Sequence, residues 1–297
     1  MEMKLFLTIL IIGLGSVFAS GQGEFQAMVD ADRSLASYAA VQGTKAAYLK
    51  YLGDDGVIFK PEATNGKDWW NLQKQEPPVV LKRTMVYADI AANGLLGYTT
   101  GVWEETPKAP ARSARQIGQY LTVWSKKPDG KFYAIIDVMT KYDEAAPPVG
   151  NPMLVTTFPK DINKRRWSAA DPSMKFLRMS MDRGGLGNAF DEWAAEDVRL
   201  MIEENPPIYG KKNAVKAMKK YLSVAFPRKV ALLESADLAY AWNPCEYANS
   251  EEGMEKGTCL NIWKLRSKKW YITSSVFARV PNMAKPTLKT ASGSRGN

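Results

Sequence analysis

The chain has 297 residues, 45% of them hydrophobic and 24% charged, with a formal net charge of +9. That length suits one large domain or two ordinary ones, and the composition excludes a disordered chain or a multi-span membrane protein. There is no histidine and there are only two cysteines, which excludes a Ser-His-Asp or Cys-His site, a His-ligated metal and a Cys-rich zinc site.

In chain order, Lys4 precedes an apolar run from Leu5 to Leu14 and then the small-residue stretch Gly15-Ser16-Val17-Phe18-Ala19-Ser20-Gly21. This is the pattern of a signal peptide over 1–19, cut after Ala19, with Gly21 as the alternative. The run is short for a bilayer-spanning helix, no cysteine follows it to carry a lipid, and no later segment reads as transmembrane. The expectation is an exported protein, periplasmic or extracellular.

Phe25, Met28, Val29, Leu35, Tyr38 and Ala39 recur near helical spacing and predict a first amphipathic helix. A second helix follows Gly43, with Ala47, Tyr48, Tyr51 and Leu52 as its buried side. Asp54-Asp55-Gly56 is expected to end that helix, the carboxylates serving the turn and cap, before a short strand Val57-Ile58-Phe59. A third helix follows Gly66. Strands are predicted near 82–91, 95–104, 116–126 and 131–142, the last two joined by a turn at Lys127-Pro128-Asp129-Gly130. The Pro-rich stretch Ala145-Ala146-Pro147-Pro148-Val149-Gly150-Asn151-Pro152 lies in a linker, 144–171. The same elements then recur through Ala189–Ala195, a Lys-rich helix after Gly210, and strands near 229–234, 237–247, 256–266 and 269–279. The Ser-, Thr-, Gly- and Lys-rich tail, 284–297, is expected to be disordered.

The recurrence has a measure. At an offset of 142, Leu35 meets Leu177, Gly43 meets Gly185, Ala47 meets Ala189, Asp55 meets Asp197 and Leu96-Gly97-Tyr98 meets Leu238-Ala239-Tyr240. At 139, Gly118-Gln119-Tyr120-Leu121-Thr122-Val123-Trp124 meets Gly257-Thr258-Cys259-Leu260-Asn261-Ile262-Trp263. The order and near-constant offset predict two tandem, diverged copies, 22–143 and 172–283. Charge divides between them: residues 20–145 carry 15 basic and 15 acidic side chains, whereas 146–283 carry 21 and 15. Lys211, Lys212, Lys216, Lys219 and Lys220 read as the solvated side of one helix, and an acidic partner for this basic half is the alternative. Nucleic acid is not expected as a partner of an exported chain.

Helices followed by a run of antiparallel strands, carried by Ala47–Pro61, Gly66, Leu96–Gly101, Gly118–Trp124, Asp129–Phe132 and Asp137, resemble the NTF2-like superfamily, specifically its SnoaL-like and DUF4440-like branch. The resemblance implies an α+β fold of two tandem cones, each a highly curved antiparallel sheet wrapped by N-terminal helices around a pocket. The superfamily holds isomerases, cyclases and many noncatalytic members. The isomerase base would fall at Lys60, before Pro61, and its protonated acid at Tyr120; the second copy has Ile202 and Cys259 there. That machinery therefore does not carry over.

Asp137 is the one carboxylate in an apolar strand, Ile135-Ile136-Asp137-Val138-Met139. By the strand period it shares a face with Tyr133, Ile135 and Met139, and by resemblance that face lines the pocket. It reads as a general base with Tyr120 as donor, or as a structural carboxylate bonded to an Arg, a Tyr or backbone N–H. Ser275, beside Ser274, takes its place in the second copy. Tyr48, Tyr98, Trp124 and Tyr133 read as pocket lining or as plain core. Cys245 and Cys259 are expected opposite each other across a hairpin centred near 252, as a disulfide or as two buried thiols; Trp103 and Tyr120 form the matching aromatic pair of the first copy. The leading expectation is a noncatalytic protein holding a small, largely apolar molecule in the first pocket, with no metal and no cofactor. The alternatives are a cyclase or isomerase using Asp137, and a structural pseudo-dimer that binds a partner protein.

Overall fold

The computed structural model describes residues 15–60, 62–108, 114–143, 153–154, 168–227, 229–251 and 253–280. The first 14 residues of the expected signal segment, most of the linker and the tail 284–297 lie outside the described residues.

The N-terminal half has three helices, α1 (Gly15–Gln42), α2 (Thr44–Tyr51) and α3 (Gly66–Leu72). Its strands are β1 (Leu52–Phe59), β2 (Ala63–Asn65), β3 (Val79–Ile90), β4 (Leu96–Pro107), β5 (Gln116–Lys126), β6 (Phe132–Tyr142) and β7 (Met153–Leu154). They form one sheet in the order β2-β1-β6-β5-β4-β3-β7, antiparallel except for β1 with β6 and β3 with β7. β7 belongs to the segment read as linker; it adds an edge strand beside Tyr87 and Ala88.

The C-terminal half has α4 (Ala170–Met179), α5 (Gly185–Trp193), α6 (Lys211–Met218) and β8 (Ala194–Ile202), β9 (Ile208–Tyr209), β10 (Tyr221–Ser223), β11 (Ala231–Ser235), β12 (Leu238–Asn249), β13 (Gly253–Arg266) and β14 (Lys269–Arg279). The order is β10-β12-β13-β14-β8-β9, with β11 also on β12, and β8 again pairs in parallel with the last strand. Leu96 pairs with Ser125 and Leu238 with Lys264, which are the partners that the two offsets assign. Bulges between Val123 and Trp124 and between Ile262 and Trp263 fall at matching places and bend each sheet. The class is α+β, with helices seated in curved, mostly antiparallel sheets, as the resemblance implies.

Local chemistry sets the helix ends. Gly43, at φ 102°, separates α1 from α2, a conformation that favours glycine. Glu76 then caps α2 from a distance, its carboxylate accepting the Lys45 N–H at 2.8 Å. Asp54 and Asp55 are not at a helix end. The chain passes into β1 already at Leu52, and the irregular pairing between Leu52 and Val57 turns both carboxylates outward, toward Lys67 and Lys127 respectively.

Phe25, Met28, Val29, Leu35 and Ala39 are buried, as their spacing predicts, in one inner cluster with Tyr48, Trp103, Tyr120 and Trp124. Phe176, Phe190, Trp193 and Trp263 centre the inner cluster of the second half. A third cluster lies between the sheets: Tyr87, Tyr98, Leu121, Val123 and Ile136 of the first meet Met201, Leu260, Ile262 and Val276 of the second. Strand alternation explains the division, since Tyr120, Thr122 and Trp124 face inward while Leu121 and Val123 face the other sheet.

Two register expectations are corrected. The β12–β13 hairpin pairs Asn249 with Gly253, so its centre is Glu251. Gly253 takes φ 88° and the Asn249 side chain accepts the Glu251 N–H at 2.9 Å, which fixes this shorter loop. Cys245 therefore lies opposite Gly257 and Cys259 opposite Asn243; the cysteines are diagonal neighbours, Cα–Cα 6.0 Å, and form a disulfide. Trp103 likewise faces Gly118, not Tyr120, and its indole donates at 3.0 Å to the carbonyls of Gln119 and Thr140. The disulfide closes a short loop, so replacing both cysteines by serine should lower unfolding free energy by about 2–4 kcal/mol, read by urea denaturation.

Candidate functional site

Asp137 sits on β6 between Thr122 of β5 and Ile58 of β1, and its side chain faces into the first cone. It is 3% exposed. Oδ2 accepts the Tyr48 hydroxyl at 2.6 Å, and Oδ1 accepts Thr122 Oγ1 at 2.5 Å and an Arg83 guanidinium N–H at 3.1 Å. Arg83 also donates to Thr122 at 2.5 Å, lies 3.5 Å from Asp32 and stacks on the Tyr120 ring at 3.8 Å. Asp32, on α1, accepts Tyr120 and Thr99 hydroxyls, each at 2.9 Å, and Thr99 in turn accepts the Trp124 indole N–H at 2.9 Å. Eight side chains from α1, α2 and β3–β6 thus form one connected buried network around a single guanidinium.

The electrostatics follow from burial. Burial works against the Arg83 charge, but Asp137, Tyr48 and Asp32 outweigh it and hold the guanidinium above its usual range. Burial pushes the Tyr48 and Tyr120 hydroxyls well up, with Asp137 and Asp32 adding to it. Both phenols are therefore firm hydrogen-bond donors. Burial also raises the Asp32 carboxyl, against the opposing pull of Arg83, Thr99 and Tyr120. A carboxyl whose folded value exceeds 3.8 stabilises the fold below that pH and gives up the contribution as pH rises through the folded value. Asp32→Asn should therefore remove one such loss: between acid and neutral pH, the difference in unfolding free energy from wild type should shift in favour of the variant.

The cavity that reaches Asp137 is lined by Tyr48, Ile58, Phe59, Lys60, Trp70 and Met139, with about 10 Å³ of room, the space of one water. Of the side chains read as pocket lining or core, Tyr48 and Met139 border this cavity and the others do not. Trp124 is packed in the inner cluster away from the cavity, bonded to Thr99. Tyr98 lies between the sheets and donates to Thr273 at 3.2 Å. Tyr133 sits at the hairpin and donates to Asp129 at 2.9 Å, and Ile135 joins the cluster between the sheets. For Tyr133 and Ile135 one bulge is the cause. Trp124 pairs with Ala134 and Val123 with Ile136, so Ile135 is an extra residue that reverses the alternation before Asp137. Tyr120 is buried beside the site but spends its hydroxyl on Asp32, not on the cavity.

Asp32, Arg83, Thr99 and Thr122 were not singled out in the sequence, although two left a signal. Asp32 interrupts the apolar stripe Met28–Val29–Leu35, and Arg83 stands between Leu81 and Met85 on the inward face of β3. In the second half, Ser275 occupies the place of Asp137 between Asn261 and Leu200, and its hydroxyl donates to Asn261 at 2.7 Å. The cavity there also has about 10 Å³ of room, beside the Cys245–Cys259 bridge.

Fold and site together define an α+β cone whose interior carries a carboxylate–guanidinium network. No protein-family model and no curated protein sequence matches the chain. Solved structures to which it is similar include an NTF2-like protein from Cytophaga hutchinsonii, at 16% identity over 40% of this chain and 100% of that one, TM-score 0.33. An NTF2-like protein of unknown function from Pseudomonas putida shares 10% identity over 38% and 85%, TM-score 0.33. A protein of unknown function with a cystatin-like fold from Nostoc punctiforme shares 15% over 38% and 89%, TM-score 0.31. Among the described residues no helix is long and apolar enough to cross a membrane, and no three acidic or cysteine side chains converge as metal ligands.

Proposed function

We propose that this is an exported, noncatalytic scaffold: a tandem duplication of a SnoaL-like NTF2-like unit whose halves form a pseudo-dimer within one chain and bind a partner protein through their outside. The observation that carries the reading is the commitment of Asp137. Three donors occupy its two oxygens, Arg83 neutralises it, and the space beside it holds about one water. A general base needs an accessible lone pair and room for the substrate proton it takes; a binding cone needs far more volume than this. The seam supports the pseudo-dimer, since a shared apolar cluster and a buried Asp89–Lys264–Asp237 group join the sheets.

One observation favours a second reading, a small and largely apolar ligand admitted when α3 moves. Trp70, which lines the cavity and stacks on Tyr48 at 5.2 Å, keeps a buried indole N–H with no partner among the described residues. The two readings separate in a titration of the purified mature protein with fatty acids, sterols and aromatic acids, monitored by the Trp70 indole resonance. The scaffold reading expects no saturable shift; saturable binding that is lost when Met139→Phe fills the slot would establish the ligand reading. Export is tested separately by N-terminal sequencing of the mature chain, which should begin at Ser20 or Gln22.

A further inference from the structure

Two fully buried cations of the sheets are matched by carboxylates. Arg83 has Asp137 and Asp32, and Lys264 has Asp89 and Asp237. Arg199 is different. It projects from β8 toward the first sheet, with its guanidinium stacked 3.6 Å over the Tyr87 ring. Among the described residues its one hydrogen bond is to the Asp197 carbonyl two positions back, at 3.4 Å, and its Nε is buried without a partner. The nearby Asp197 carboxylate is already held by Arg266 at 2.6 and 3.1 Å. Facing Arg199 from β5 of the other sheet is Gln119, 5% exposed, whose amide nitrogen is also buried and unpartnered among the described residues.

These two side chains line the same cavity, together with Val86, Thr100, Gly101 and Tyr209. It has about 10 Å³ of room, enough for one small ion or water. The Thr100 hydroxyl donates to the Tyr120 carbonyl at 2.6 Å. Tyr209 is 47% exposed and leaves a route from solvent. A desolvated guanidinium edge beside an unsatisfied amide donor is costly when left empty and favourable around negative charge. From this we infer that the seam between the two sheets is a binding site for one small, halide-sized monovalent anion, held by Arg199 of the second half and Gln119 of the first. The site lies on the opposite sheet face from the Asp137 network and is independent of the proposed scaffold role. Because its two ligands come from different sheets, the ion would tie the halves together and stabilise the folded chain in proportion to its concentration.

Chloride and bromide are the probes. Crystals of the full mature chain grown in 0.1 M bromide, on the order of physiological ionic strength, should show an anomalous peak within hydrogen-bond distance of Arg199 Nε and Gln119 Nε2. In solution, Tm at constant ionic strength should rise by a few degrees when gluconate is replaced by chloride, and Arg199→Gln should abolish the rise. A water at the site in bromide crystals that show ordered bromide elsewhere would overturn the inference, as would an undiminished chloride dependence in Arg199→Gln. Arg199 is partly exposed and outside both inner clusters, so the variant should fold; the bromide experiment needs no variant at all.

Discussion

Arg83→Met should destabilise the protein by about 3–5 kcal/mol, the range seen when one partner of a buried ion pair is removed. The variant fills the same space, but Asp137 and Asp32, 3% and 1% exposed, would face each other with no cation between them. Two consequences separate this charge effect from simple loss of packing. The deficit should shrink as pH falls and the orphaned Asp32 carboxyl takes up a proton, and Asp32→Asn in the same chain should recover part of it. Urea denaturation across the acid range measures both. A deficit that stays constant with pH would mean that the guanidinium mattered only as a filler beneath Tyr120.

The second large effect belongs to the seam. Lys264 is 1% exposed, donates hydrogen bonds to Asp89 at 3.2 Å and the Ile90 carbonyl at 2.8 Å, and forms an ion pair with Asp237 at 3.1 Å. Asp89 comes from the first sheet, Lys264 from β13 of the second and Asp237 from the turn between β11 and β12, and Asp237 also accepts the Ala92 N–H at 2.7 Å. Lys264→Met leaves two buried carboxylates across the joint and should again cost about 3–5 kcal/mol. Here the loss should be local: amide exchange should accelerate in β3, β4 and β13 around Tyr98 and Ile262, while the inner networks stay protected. Uniform acceleration throughout the chain would show instead that the seam and the cones unfold as one unit.

Much of the architecture is legible in the sequence because periodicity reports burial. The α1 stripe and the turn at Pro128-Asp129-Gly130 each carry a local rule that the folded chain obeys. The site is legible only in part, and for identifiable reasons. Asp137 stands out as the lone carboxylate of β6, within an apolar run, but its neighbours depend on whether the strand is regular. A single bulged residue, Ile135, places Tyr133 and Ile135 off its face, and nothing in the composition of β6 marks the bulge. Arg83 and Asp32 occupy apolar-periodic positions 51 residues apart in sequence, too far for any spacing rule to join them. Lys264 is the same kind of signal: it follows Leu260 and Ile262 on the seam face of β13, a charge where the strand period asks for an apolar residue. Charged residues at core-periodic positions, taken together, mark both buried networks. The hairpin holding the cysteines shows the opposite limit, where a shift of one residue in its centre turns facing partners into diagonal ones without preventing the bridge.

The central claim is that Asp137 is a structural carboxylate bound to Arg83, not a base held ready for a substrate. A double-mutant cycle with Arg83→Met and Asp137→Asn, read as unfolding free energy at neutral pH, tests it directly. The account predicts strong coupling, about 1.5 kcal/mol or more in favour of the intact pair, with the double variant far less unstable than the two single losses added together. Additive effects, with Asp137→Asn alone leaving stability unchanged or raised, would contradict it and return Asp137 to the role of a carboxylate kept at a cost for function.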